Sequence, residues 1–89
     1  MLSACLILIA YVTKYNTTGI MANGQRTHVG AIACPRDIPL GAHAIIGGKE
    51  YVCSDRTAKI YNGRFDIYDP RPTKELIKWG KKKEKVIIF

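Results

Sequence analysis

Apolar residues come in short runs of strand length, broken by polar, glycine- and proline-bearing segments. The first run occupies residues 3–15. Leu6, Ile7, Leu8 and Ile9 are consecutive, and Thr13 and Tyr15 resume alternation, so the run predicts a long first strand with residues 6–9 buried on both faces. Residues 16–26 form a loop rich in Asn, Thr and Gly, with Asn23-Gly24 as its turn. Residues 28–33 predict a short strand. Residues 34–41 carry two prolines, which hold the chain extended and remove backbone donors, so they predict a rigid connector. Residues 43–46 and 49–53 flank Gly47-Gly48 and predict a hairpin.

Residues 51–70 hold two more apolar runs, one leading to Asp55 and the other enclosing Asp66, with the Asn62-Gly63 turn dipeptide between them. This segment predicts strand, charged loop, turn, strand. Thr73 predicts an N-cap, Leu76, Ile77 and Trp79 a helix of one to two turns, and Gly80 its end. Residues 86–89 predict a closing strand. Six or seven short strands and one small helix imply an all-β fold, with a small closed barrel as the natural way to hide strand edges.

Composition narrows the partners. The 89 residues suffice for one domain, residues 1–89, with a single core, and 47% apolar content excludes a disordered chain. Fourteen basic residues against seven acidic give a net charge of +7. That charge favours a polyanion: nucleic acid, an anionic bilayer surface, or the teichoic acids and stem carboxylates of a cell wall. With one tryptophan, two phenylalanines and no basic helix of heptad or zinc-finger form, nucleic acid rests on charge alone, and no specific nucleic-acid partner is expected. Lys78, Lys81, Lys82, Lys83 and Lys85 surround Glu84 as a basic cluster. The N-terminal run resembles the start of a signal peptide but lacks a basic leader and a cleavage site, and it falls short of the roughly 20 residues that span a bilayer. No transmembrane span is expected. As an overhanging apolar strand it invites a second subunit or a larger assembly.

The candidate chemistry is carboxylate chemistry. Asp55 and Asp66 are expected at neighbouring strand ends facing one concave surface, where two acids sharing a cleft raise the pKa of one of them. Competing roles for Asp66 are a turn cap or a partner for Arg64 or Arg56, and Arg56 beside Asp55 works against acid catalysis. Of three cysteines, Cys34 and Cys53 can pair if their strands are neighbours, leaving Cys5 odd; the alternative is three buried thiols. No Cys-x-x-Cys pair is present and neither His28 nor His43 has a third ligand nearby, so no metal and no cofactor are expected.

An ordered set of blocks resembles the 3D domain, the three-aspartate domain of cell-wall hydrolases, which is similar to the barrel of MltA-type lytic transglycosylases and has compact bacterial and phage versions. The blocks are Thr13-Lys14-Tyr15; Ala22-Asn23-Gly24; Ala31-Ile32-Ala33-Cys34-Pro35 followed by Ile38-Pro39-Leu40-Gly41; Ser54-Asp55-Arg56-Thr57; Asp66-Ile67-Tyr68; and Ile77-Lys78-Trp79-Gly80-Lys81 leading to Val86-Ile87-Ile88. They run from Val12 to the C-terminus. Cys34 stands in place of the first family aspartate, with Asp37 three residues on, and Arg56-Thr57-Ala58 replaces a Gly-Gly step. Compact relatives with Cys-Pro-Arg and Cys-x-Asp-Arg segments imply a Cys34–Cys53 cross-link.

The resemblance implies a double-psi-like β-barrel and cleavage of the bond between N-acetylmuramic acid and N-acetylglucosamine in peptidoglycan. It implies Asp66 as catalytic acid/base and Asp55 as the residue that positions it. Thr13, Tyr15, Arg56 and Tyr68 are then expected to line the groove for the glycan strand. The implied location is extracytoplasmic or on a phage particle. The alternatives are a catalytically inactive assembly protein of a virion, contacting its neighbours through the N-terminal strand, or a wall-glycan-binding module on the same barrel.

Overall fold

The computed structural model describes residues 5–89. Six strands close into a barrel in the order β1-β5-β2-β4-β3-β6, where β1 is Leu6–Tyr15, β2 Ala31–Cys34, β3 His43–Ile46, β4 Lys49–Arg56, β5 Phe65–Tyr68 and β6 Lys82–Ile88. Two pairs, β1/β5 and β2/β4, are parallel, and the remaining four contacts are antiparallel. One short helix, α1 (Thr73–Trp79), packs against β1 through buried Leu76. The described residues are thus all-β, a six-stranded closed barrel with one short α-helix, as the sequence implies.

Inward positions of each strand fill the barrel. Val12, Ile32, Cys34, Cys53, Phe65 and Val86 are fully buried, with Ala10, Ala44, Ile46, Ile67 and Ile88 around them. Cys34 and Cys53 form a disulfide between the parallel neighbours β2 and β4, with Cα atoms 5.7 Å apart; Cys5 is a free, exposed thiol. At the C-terminal end of β5, Asp69 accepts from Lys14 Nζ at 3.1 Å and from Arg71 Nε at 2.9 Å. These cations, Arg71 first, hold its carboxyl well below the usual carboxylate range.

Several local expectations are corrected. Residues 6–9 are not buried on both faces: Leu6, Ile7 and Ile9 are 52%, 62% and 60% exposed. By alternation Ile7 and Ile9 face outward, where no core residue covers them among the described residues, and Leu6, on the inward parity of Ala10 and Val12, lies at the exposed start of the strand. The strand starts at Leu6, so of the expected residues 3–15, 3 and 4 lie outside the described residues. The strand expected at 28–33 is Ala31–Cys34, because Gly30 takes φ 96°, which breaks the extended run, and Val29 is exposed. Thr73 is the first helical residue rather than the cap; Pro72 precedes the helix with no side-chain cap, and Thr73 Oγ1 instead accepts from Asn16 Nδ2 at 3.1 Å. The closing strand begins at Lys82, so most of the basic cluster is strand: pairing with β1 over Leu6–Val12 imposes the extended form on residues of low β-propensity.

Candidate functional site

The Asp55 and Asp66 strands are not adjacent, contrary to the sequence-based placement. β2 lies between β4 and β5, and the register aligns Thr13 with Asp66, Asp66 with Ala33, and Ala33 with Asp55. One row therefore crosses four strands, Thr13–Asp66–Ala33–Asp55. Two strand spacings separate the acids, putting their Cα atoms about 10 Å apart. Their in-strand neighbours Val12, Ile32, Cys34, Phe65 and Ile67 belong to the core, so by alternation the row faces outward. Ala33, small and central, leaves room between the carboxylates.

A cleft of about 470 Å³ opens over this row. Asp55, Asp66, Thr13, Tyr15 and Arg56 all line it, together with Thr57, Ala58, Tyr61 and Arg64. Tyr68 lies outside it, 8% exposed, lines a second cleft and packs edge-on against Tyr15 with ring centroids 5.5 Å apart. Asp37 is exposed on the proline-bearing connector and does not reach the row, and Cys34 is consumed by the disulfide. Among the described residues the cleft thus holds two carboxylates, not three.

The two acids are held differently. Asp66 Oδ1 accepts from Thr13 Oγ1 at 2.9 Å. Burial pushes the Asp66 carboxyl above its ordinary value; the Thr13 hydrogen bond and Arg64 pull it down, and Asp55 adds a smaller upward push. Desolvation, rather than the like-charge coupling expected from sequence, is the largest cause. Neither Arg64 nor Arg56 forms an ion pair with Asp66 among the described residues. The Arg64 guanidinium lies 4.6 Å from the Tyr61 ring centre, and Arg56 Nη1 donates to the carbonyls of Pro35, at 2.9 Å, and Ile38. Arg56 therefore braces the connector instead of neutralising either acid.

Asp55 Oδ1 accepts two backbone N–H groups, from Ala22 at 3.0 Å and Arg56 at 2.9 Å. Ala22 sits in a tight loop where Gly24 N donates to Met21 O at 2.9 Å and Asn23 Oδ1 accepts from Gln25 N at 2.9 Å. Asn23 N then donates to Ser54 O at 3.1 Å, at the bulge where β4 slips one residue against β2. Ala22 and Asn23 are positioning residues that no local feature of the sequence links to Asp55. The Asn23-Gly24 turn signal was visible, but its contact 33 residues away was not.

Two buried side-chain hydroxyls among the described residues have no hydrogen-bond partner, Tyr15 Oη and Thr57 Oγ1, and both belong to residues lining this cleft. Burial, then Asp55, Asp66 and Tyr68, push the Tyr15 phenol up to about 12, so at neutral pH it is a hydrogen-bond donor. Both hydroxyls have donor capacity that water or a ligand can use. No group of three His, Cys, Asp or Glu side chains comes together among the described residues, and His43 Nδ1 instead lies 2.7 Å from Glu50 Oε2.

The pH behaviour of Asp66 is testable at this level. Thr13→Val removes a bond that favours the ionised carboxyl, so the Asp66 pKa is expected to rise further. A carboxyl carbon NMR titration reads this directly; a fall, or no change, contradicts the geometry.

No known protein-family model, curated protein sequence or solved structure matches the chain. The compact six-stranded mixed barrel is consistent with the 3D-domain resemblance at the level of fold.

Proposed function

We propose that the protein is an extracytoplasmic wall-glycan cleaving enzyme of lytic transglycosylase type, a compact member of the 3D-domain lineage. The observation that carries this reading is the Thr13–Asp66–Ala33–Asp55 row beneath an open cleft, with burial biasing Asp66 toward its protonated form. The disulfide is compatible with an oxidising, extracytoplasmic setting.

In this mechanism the Asp66 carboxylic acid donates its proton to the glycosidic oxygen as the bond from the muramyl C1 breaks. The leaving N-acetylglucosamine departs with that proton as its hydroxyl. Asp66, now ionised, accepts the proton of the muramyl C6 hydroxyl as C6–O closes on C1, giving a 1,6-anhydro ring and restoring the acid. No water is consumed. A group that begins protonated and ends protonated needs a raised pKa, which burial supplies. Thr13 stabilises the ionised intermediate form and fixes the carboxyl's orientation. Asp55, locked by two backbone donors, faces the same cleft and places a carboxylate opposite the positive charge that develops at C1. Tyr15 offers its spare donor to the sugar's oxygens.

The test is release of soluble muropeptides from purified sacculi, followed from about pH 4 to about pH 8. Release favoured on the acid side is expected. Binding to sacculi without release at any pH overturns cleavage and leaves a glycan-binding module.

A further inference from the structure

The corrected exposure of β1 leaves an unexplained surface on the β1–β6–β3 wall of the barrel. Outward positions there align in rows: Ile7 beside Ile87 beside Ile45, then Ile9 beside Lys85, then Tyr11 beside Lys83. Ile7, Ile9 and Tyr11 are exposed, and Ile45 and Ile87 are half-buried. Lys81, Lys83 and Lys85 are exposed and form no ion pair among the described residues, and Lys81 Nζ sits 4.8 Å from the Tyr11 ring centre. We propose that this isoleucine-and-lysine face docks the barrel on an anionic bilayer surface.

The combination selects that partner. Aliphatic side chains gain by leaving water, and lysines on the same face are drawn to anionic headgroups while their stems lie along the acyl boundary. A second copy fits less well, because an isologous contact across this face would gather Lys83 and Lys85 of both chains, unpaired among the described residues, into one interface. Nucleic acid also fits less well. Exposed isoleucines offer nothing to phosphodiesters, and Lys81 already occupies the Tyr11 ring that a base would stack on. The basic residues here are all lysines, point charges suited to a mobile lipid surface rather than to bidentate recognition. Peripheral docking requires no spanning helix, and none of the described helices is long and apolar enough to cross a membrane.

The test is co-sedimentation of the full chain with vesicles of phosphatidylglycerol and phosphatidylcholine mixed about 1:2, against phosphatidylcholine alone, at about 0.1 M and about 0.5 M salt. Binding to the anionic vesicles alone, weakened by salt, is expected. Lys83→Glu with Lys85→Glu is expected to weaken it at least about 20-fold, and Ile7→Ser with Ile9→Ser at least about tenfold. These side chains are exposed, so circular dichroism should show both variants folded. Equal binding to both vesicle types, or binding indifferent to the lysine changes, overturns the proposal. So does absence of vesicle binding together with a dimer by light scattering that Ile7→Ser and Ile9→Ser dissolve. Absence of vesicle binding with salt-sensitive binding to single-stranded DNA overturns it equally.

Discussion

Asp66→Asn is expected to lower wall-glycan cleavage by about 10²- to 10⁴-fold, the range that a positioned general acid contributes. The substitution keeps the shape of the side chain and an oxygen to accept from Thr13, so the barrel should survive it. Its effect on stability follows from the direction of the pKa shift. Because the folded-state value is raised, native Asp66 holds its proton more tightly than the unfolded chain does. That stabilisation is present at low pH and is lost as pH rises from the ordinary carboxyl value through the folded-state value. Asparagine carries no charge to desolvate, so thermal stability at neutral pH should equal or exceed that of the parent. A sacculus digestion assay paired with a melting curve checks both. Loss of the fold would contradict the expected tolerance of the barrel, and full activity in the folded variant would remove Asp66 from the mechanism.

Opening the Cys34–Cys53 bond has the largest expected effect on stability. The bond closes a loop over a sequence separation of 19, inside a domain small enough that one core supplies most of its stability. In the chain-entropy account a loop of that order contributes about 3 kcal/mol. For a domain of this size that corresponds to a fall in Tm of about 12–24 °C. Comparing melting curves of the oxidised and reduced protein measures it. The register step at which β2 reaches Cys34 also aligns Ala33 with Asp55, so reduction should loosen the spacing of the acid row and lower activity before the domain unfolds. A Tm unchanged on full reduction would show that β2/β4 pairing holds the row unaided.

What could be read from sequence was whatever depends on near neighbours. The strand, turn and strand around Asp55 and Asp66 follow from Tyr51, Val52, Phe65, Ile67 and Asn62-Gly63, and the helix from Leu76, Trp79 and Gly80. The Cys34–Cys53 disulfide was one of two readings of the cysteines themselves, bond or buried thiols, and the paired Cys-Pro-Arg and Cys-x-Asp-Arg segments favoured the bond. The site was less legible because its geometry is topological. Nothing local says that β2 slips between β4 and β5, that Ser54 shifts the register beside Asp55, or that Ala22 reaches Asp55 from across the chain. The Leu6–Ile9 run misled for a related reason. Continuous apolar sequence reads as two-sided burial, yet in a barrel this small only the inward side has a core to join.

The most direct test of the central claim is product analysis after digesting purified peptidoglycan in ¹⁸O-labelled water with the oxidised protein. The account predicts muropeptides ending in 1,6-anhydro rings without label, because the C6 hydroxyl and not water closes on C1, and their loss with Asp66→Asn. Reducing ends carrying ¹⁸O would contradict it by requiring a water-activating base, and no soluble product at any pH from about 4 to about 8 would contradict cleavage altogether.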